Sequence, residues 1–170
     1  TMYYYPLGTE LYKTYATPTD SFWCCNGTGV EEFSKLNDSI YFHDNDGVYV
    51  NLFIASELHW PEKNMRLRQE TDFPQQQGTK LTVLAPKPVD TAIRLRIPYW
   101  VQGGNVKVNG QTLPAFTSPS SYLALRGPWK NGDTIEVSLP MGLHQWSMPD
   151  DDTIQTPMFG PLVLAAKHEE

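Results

Sequence analysis

Thr91-Ala92-Ile93-Arg94-Leu95-Arg96-Ile97 alternates strictly, with apolar side chains at 93, 95 and 97 and arginines at 94 and 96. Successive side chains of an extended chain point to opposite faces, so this period of two marks a strand with one face in a core and the other in water. Similar runs recur at 48–54, 65–70, 80–84, 106–108, 122–125, 134–139 and 161–165. Asn109-Gly110 separates Val106-Lys107-Val108 from Gln111-Thr112-Leu113, and Asn-Gly is a strong hairpin signal because both residues accept positive φ. Asn45-Asp46-Gly47 and Asn131-Gly132-Asp133 are read as turns of the same kind. The 12 glycines and 14 prolines are spread evenly, which counts against long helices. The expected fold is mainly β, an antiparallel β-sandwich over about residues 39–170.

Of the 170 residues, 40% are hydrophobic and 19% charged, enough apolar side chains to build a core. The formal net charge is −6 and the 13 basic residues form no run, which argues against nucleic acid or an anionic membrane surface as partner. A neutral carbohydrate fits this balance. No apolar stretch approaches the ~20 residues that span a bilayer. The first residues, Thr1 to Leu11, have neither the basic start nor the apolar run of a secretory signal. Met2-Tyr3-Tyr4-Tyr5-Pro6 reads instead as the interior of a longer protein.

One segment departs from the β pattern. After Gly29, the residues Val30, Phe33 and Leu36 stand at i, i+3 and i+6, and Glu31 and Lys35 at i, i+4. This spacing predicts a short helix with Thr28 or Gly29 as its cap and acids in its first turn, where the helix dipole favours them. A lone helix ahead of a sandwich reads as the last piece of a helical domain. Residues 1–38 are therefore taken as one unit and 39–170 as another.

The only cysteines, Cys24 and Cys25, are adjacent in Ser21-Phe22-Trp23-Cys24-Cys25-Asn26-Gly27-Thr28-Gly29. Neighbouring Cα atoms lie ~3.8 Å apart, short for a disulfide between them. Three readings remain: a pair of small buried core residues, a metal site using two thiolates, and a nucleophilic thiolate. Gly27 and Gly29 permit close approach of a ligand, and a helix following the cysteines would turn its free N–H groups toward them.

The block Asp20 to Glu31 resembles the signature of glycoside hydrolase family 127, the bacterial-type β-L-arabinofuranosidases, with family 146 related to it. The resemblance continues through Asp38-Ser39-Ile40-Tyr41-Phe42-His43, Leu95-Arg96-Ile97-Pro98-Tyr99-Trp100, Trp129-Lys130-Asn131-Gly132-Asp133 and Gly160-Pro161-Leu162-Val163. It implies residues 1–38 as the carboxy-terminal remnant of an (α/α)6 catalytic barrel, followed by the β-sandwich. It also implies retaining hydrolysis of a carbohydrate substrate, releasing L-arabinofuranose or a related sugar from plant-type glycans. In that scheme Cys24 is the nucleophile, and Cys24 and Cys25 both ligate Zn²⁺. The family's other zinc ligands, a glutamate and a cysteine, and its acid/base glutamate come from upstream, and this sequence has no third cysteine. Asn26 and Glu32 also differ from the family pattern. The chain alone is therefore expected to be inactive and to hold zinc weakly or not at all. The reading from a different class is a non-catalytic carbohydrate-binding or structural β-sandwich module.

Other candidates have plainer explanations. His43, His59, His144 and His168 stand at no metal-ligand spacing to one another. Glu31 matches the family's Gly-Thr-Gly-x-Glu pattern but also suits a helix first turn. Asp150-Asp151-Asp152 lacks the glycine-spaced loop of a calcium site and reads as a solvated turn. Trp60, Trp100, Trp129 and Trp146, with the tyrosines, could stack on sugars, although strand aromatics more often fill cores.

Overall fold

The computed structural model describes residues 24–114 and 118–165, and the chain divides into two compact units, Thr1–Ser39 and Ile40–Glu170. In the first unit, helix α1 (Cys24–Glu32) runs on into a 3₁₀ turn (Phe33–Lys35). Among the described residues, the second unit holds thirteen strands. They are β1 (Tyr41–His43), β2 (Gly47–Val50), β3 (Ser56–Trp60), β4 (Met65–Glu70), β5 (Gly78–Leu84), β6 (Val89–Ile97) and β7 (Asn105–Val108). They continue with β8 (Gln111–Thr112), β9 (Ser121–Trp129), β10 (Thr134–Ser138), β11 (Leu143–Ser147), β12 (Gln155–Phe159) and β13 (Leu162–Val163).

These strands make a sandwich of two sheets. One has the order β1-β2-β6-β9, the other β3-β4-β5-β10-β7-β8. The alternation at 91–97 does what its period demands: Ile93, Leu95 and Ile97 are fully buried while Arg94 and Arg96 face outward. Across the interior the second sheet answers with Leu67, Leu81, Val83, Val106 and Ile135, and Trp60 and Trp129 complete one continuous core. Burying each such aliphatic side chain is worth about 1.5–3 kcal/mol, so the sandwich is held chiefly by this interface.

Pairing is antiparallel except at one place. β2 lies parallel to β6, with Val48 beside Ile93 and Val50 beside Leu95. The purely antiparallel expectation fails here because a long excursion through β3, β4 and β5 separates the two strands, whereas hairpin turns can join only antiparallel neighbours. A third sheet, β11-β12-β13, follows the sandwich and was not expected as a separate layer.

The turns divide similarly. Asn109 and Gly110 both adopt positive φ (51° and 79°) and join β7 to β8, as the sequence predicts. The β1–β2 connection works differently, since Gly47 already belongs to β2 and the positive-φ residues do not include Asn45 or Asp46. Asp44 shapes this turn through its Oδ1, which accepts the backbone N–H groups of Asp46 (2.8 Å) and Gly47 (2.7 Å). Glycine is required at 47 by close packing, because a Cβ there would lie 2.3 Å from the Ala92 carbonyl oxygen.

The strand expected over 48–54 ends at Val50, and a buried glutamine explains the loop that follows. Gln69 is only 2% exposed, and its Nε2 donates to the carbonyls of Ile54 (2.8 Å) and Leu52 (3.1 Å). Thr79 Oγ1 donates to its Oε1 at 3.3 Å. The amide thus takes up carbonyls that no ladder satisfies, which is what makes its own burial tolerable.

The Asp44 carboxyl is lowered from 3.8 to about 2, first by the hydrogen bond from the Tyr49 hydroxyl and then by the Asp46 N–H. A carboxyl depressed in the folded state contributes stability that is present above its unfolded value and lost as pH falls through the folded one. The β1–β2 turn should therefore loosen between about pH 4 and pH 2. A carboxyl carbon NMR titration should place the Asp44 midpoint near 2, and Tyr49→Phe should raise it.

Candidate functional site

Cys24 and Cys25 both belong to α1, so both backbones are helical. The helix expected to begin near Gly29 already includes Cys24, five residues before it, and Thr28 and Gly29 lie inside it and do not cap it. Gly27 and Gly29, read from sequence as room for a ligand, stand inside the helix despite the low helix propensity of glycine.

The earlier start overturns the account of the acids. The first turn carries none, and Glu31 sits at the end of α1, where the dipole disfavours a negative charge. Its dipole-based explanation is thereby lost. The main-chain carbonyl of Glu31 accepts a hydrogen bond from Ser34 Oγ at 2.7 Å. The expected Glu31–Lys35 pair is not among the ion pairs of the described residues, because the chain tightens into a 3₁₀ turn at Phe33 and the i, i+4 alignment is lost.

Two adjacent cysteines offer Zn²⁺ two soft donors, a chemistry that suits the metal and amounts to half of a tetrahedral set. Among the described residues, no group of three or more His, Cys, Asp or Glu side chains stands together to hold a metal.

The histidines are scattered. His43 packs its ring 5.6 Å from Trp60, His59 Nε2 meets Glu57 at 3.1 Å, and His144 Nε2 meets the Gly160 carbonyl at 2.8 Å. His168 lies outside the described residues. Asp151 closes a turn on its own chain, accepting from the Thr153 N–H and hydroxyl at 2.9 and 2.6 Å. The hydroxyl is the larger cause holding its carboxyl below the usual range. Among the described residues the tryptophans do not share a platform: Trp60, Trp100 and Trp129 are core, and Trp146 on β11 is exposed with its ring beside that of Tyr99.

Sequence reasoning missed the polar cluster on the outer face of the first sheet. Asp46 binds Arg94 and Arg126, Asp44 binds Arg94 at 3.4 Å, and Arg94 lies 4.7 Å from the centre of the Tyr49 ring. The arginines were legible as an outward row, but their carboxylate partners lie 48 and 80 positions away in the chain.

The fold is a β-sandwich, preceded in the chain by a short helix that carries the cysteine pair. The model of the GH127 β-L-arabinofuranosidase middle domain matches residues 47–141, more than half of the chain. The chain belongs to that family. Among solved structures it is similar to a glycoside hydrolase with 26% identity and a TM-score of 0.76, covering 92% of this chain and 28% of the other. It is also similar to a GH127 β-arabinofuranosidase, BT3674, with 29% identity and a TM-score of 0.71, covering 82% and 25%. A GH127 β-L-arabinofuranosidase from Geobacillus stearothermophilus T6, at 24% identity and a TM-score of 0.73, shares the fold over 82% and 23%. The chain thus spans about a quarter of the length of the solved structures it matches. No curated protein matches it in sequence.

No helix among the described residues is long and apolar enough to cross a membrane. The apolar stripe Val30, Phe33 and Leu36 is 69%, 67% and 58% exposed. Phe33→Ser should therefore change the stability of this chain by less than about 0.5 kcal/mol, as read by chemical denaturation. A buried position would lose about 3 kcal/mol or more on comparable truncation.

Proposed function

We propose that the chain is part of a retaining glycoside hydrolase that releases L-arabinofuranose or a related sugar, with Cys24 as nucleophile. The observation that carries this reading is the family match, with Cys24 and Cys25 side by side within helix α1. Cys24 and Cys25 would hold Zn²⁺, which when bound favours the thiolate over the thiol.

The chemistry then runs in two displacements. The Cys24 thiolate attacks the anomeric carbon, a carbon–sulfur bond forms, and the glycosidic carbon–oxygen bond breaks with its electron pair leaving on the aglycone oxygen. That oxygen takes a proton from a general acid. Water, deprotonated by the same group, then displaces the sulfur and returns the thiolate. Retention follows from two inversions at one carbon. The acid/base is assigned to a part of the parent protein outside this sequence, so the chain alone is proposed to be inactive. The sandwich is assigned a bracing role in the parent.

Cys24→Ser in the intact parent enzyme should lower turnover of an aryl β-L-arabinofuranoside by at least about 10³-fold, while circular dichroism stays unchanged. Wild-type turnover in that variant would remove Cys24 from the mechanism.

A further inference from the structure

The outer face of the sheet β1-β2-β6-β9 carries a row of aromatic side chains that the core does not use. Phe42 is the Cα partner of Tyr49, Tyr49 stands beside Arg94, and Arg94 opposite Ala124. Tyr122 lies one step away on β9, opposite Arg96. The inward neighbours Val48, Val50 and Leu95 are fully buried, which fixes this row on the opposite face. Yet Phe42 remains 49% exposed and Tyr122 39%.

The two tyrosine rings are held at their far ends. The Tyr49 hydroxyl donates to Asp44 Oδ2 at 2.9 Å and the Tyr122 hydroxyl to Asn51 Oδ1 at 2.8 Å. The two rings meet edge to face with centroids 5.2 Å apart. A surface whose side chains are fixed before binding loses little rotamer entropy on binding. Three strand spacings give the row a length of roughly 14 Å, which suits a short oligosaccharide better than a single ring.

The charge pattern narrows the ligand. Arg94 and Arg126 are each paired with Asp46, so the face offers aromatic surface and hydrogen-bonding groups with much of its charge already balanced. Sugar rings present C–H edges with partial positive charge, which aromatic faces attract, and hydroxyls that amides and guanidinium groups can bind. We infer that this face is a carbohydrate-binding surface for a neutral oligosaccharide, with Phe42 and Tyr122 as its stacking residues. It is made wholly by the sandwich and does not rest on the assignment of Cys24.

The test is titration of the full 170-residue chain with α-1,5-linked L-arabinohexaose and, separately, xylohexaose, followed by NMR. Saturable shifts should centre on Phe42, Tyr49 and Tyr122 with one sugar or both. Phe42→Ala and Tyr122→Ala should each weaken that binding about five- to tenfold, while Lys107→Ala on the other sheet leaves it unchanged. The wild-type shift map needs no variant, so a misfolded substitution does not blunt the test. No saturation with either sugar, shifts centred elsewhere, or binding that survives both aromatic substitutions would overturn the proposal.

Discussion

The sandwich depends on a single dry interface, the closure of the inner face of β6 against the facing sheet. Ile93, Leu95 and Ile97 are fully buried, and so are Leu67, Leu81, Val83 and Ile135 opposite them. β6 is paired on both edges, parallel to β2 and antiparallel to β9. It therefore satisfies its backbone laterally while its side chains close the core. A shift of one residue in its register would expose the apolar set and bury two arginines, so the interface fixes pairing as well as stability.

Two polar devices make that arrangement specific. At the start of β2, Gly47 lets the chain come against the Ala92 carbonyl, and Asp44 and Asp46 clamp the turn to Arg94 and Arg126. These pairs are partly solvated, so their value lies in orienting the parallel β2 more than in net energy. Inside the core rim, Gln69 substitutes for a missing ladder by binding the carbonyls of Leu52 and Ile54. The first device acts from outside the sheet and the second from within. Together they hold the segment from Asp44 to Ile54 in place.

How much of this could be read in the sequence follows from what local pattern can encode. Strict alternation placed β4, β5, β6, β7 and β10 close to their observed limits, and Asn109-Gly110 placed its hairpin. The parallel partner of β6 was out of reach because register between distant strands leaves no local mark. Of the third sheet only the run at 161–165, around β13, was read as a strand; β11 carries exposed residues on both sides, Leu143 at 77% among them, so no clean period of two survives there. At the helix, the i, i+3, i+6 residues proved exposed, and the helix already includes Cys24, ahead of the glycines at 27 and 29. The candidate nucleophile was legible as a residue and as a resemblance. The aromatic face was legible only once alternation had assigned Tyr49 and Tyr122 to the same side.

A rigid sandwich suits both assigned roles, since bracing a catalytic unit and presenting fixed aromatic rings each require a sheet that does not breathe. That rigidity should be concentrated at β6. Native-state amide hydrogen exchange, read residue by residue, tests this most directly. Residues 92–97 should be the slowest to exchange, opening only with global unfolding, and residues 143–165 should exchange far sooner through local opening. Equal protection of the two segments, or early exchange within 92–97, would contradict the account.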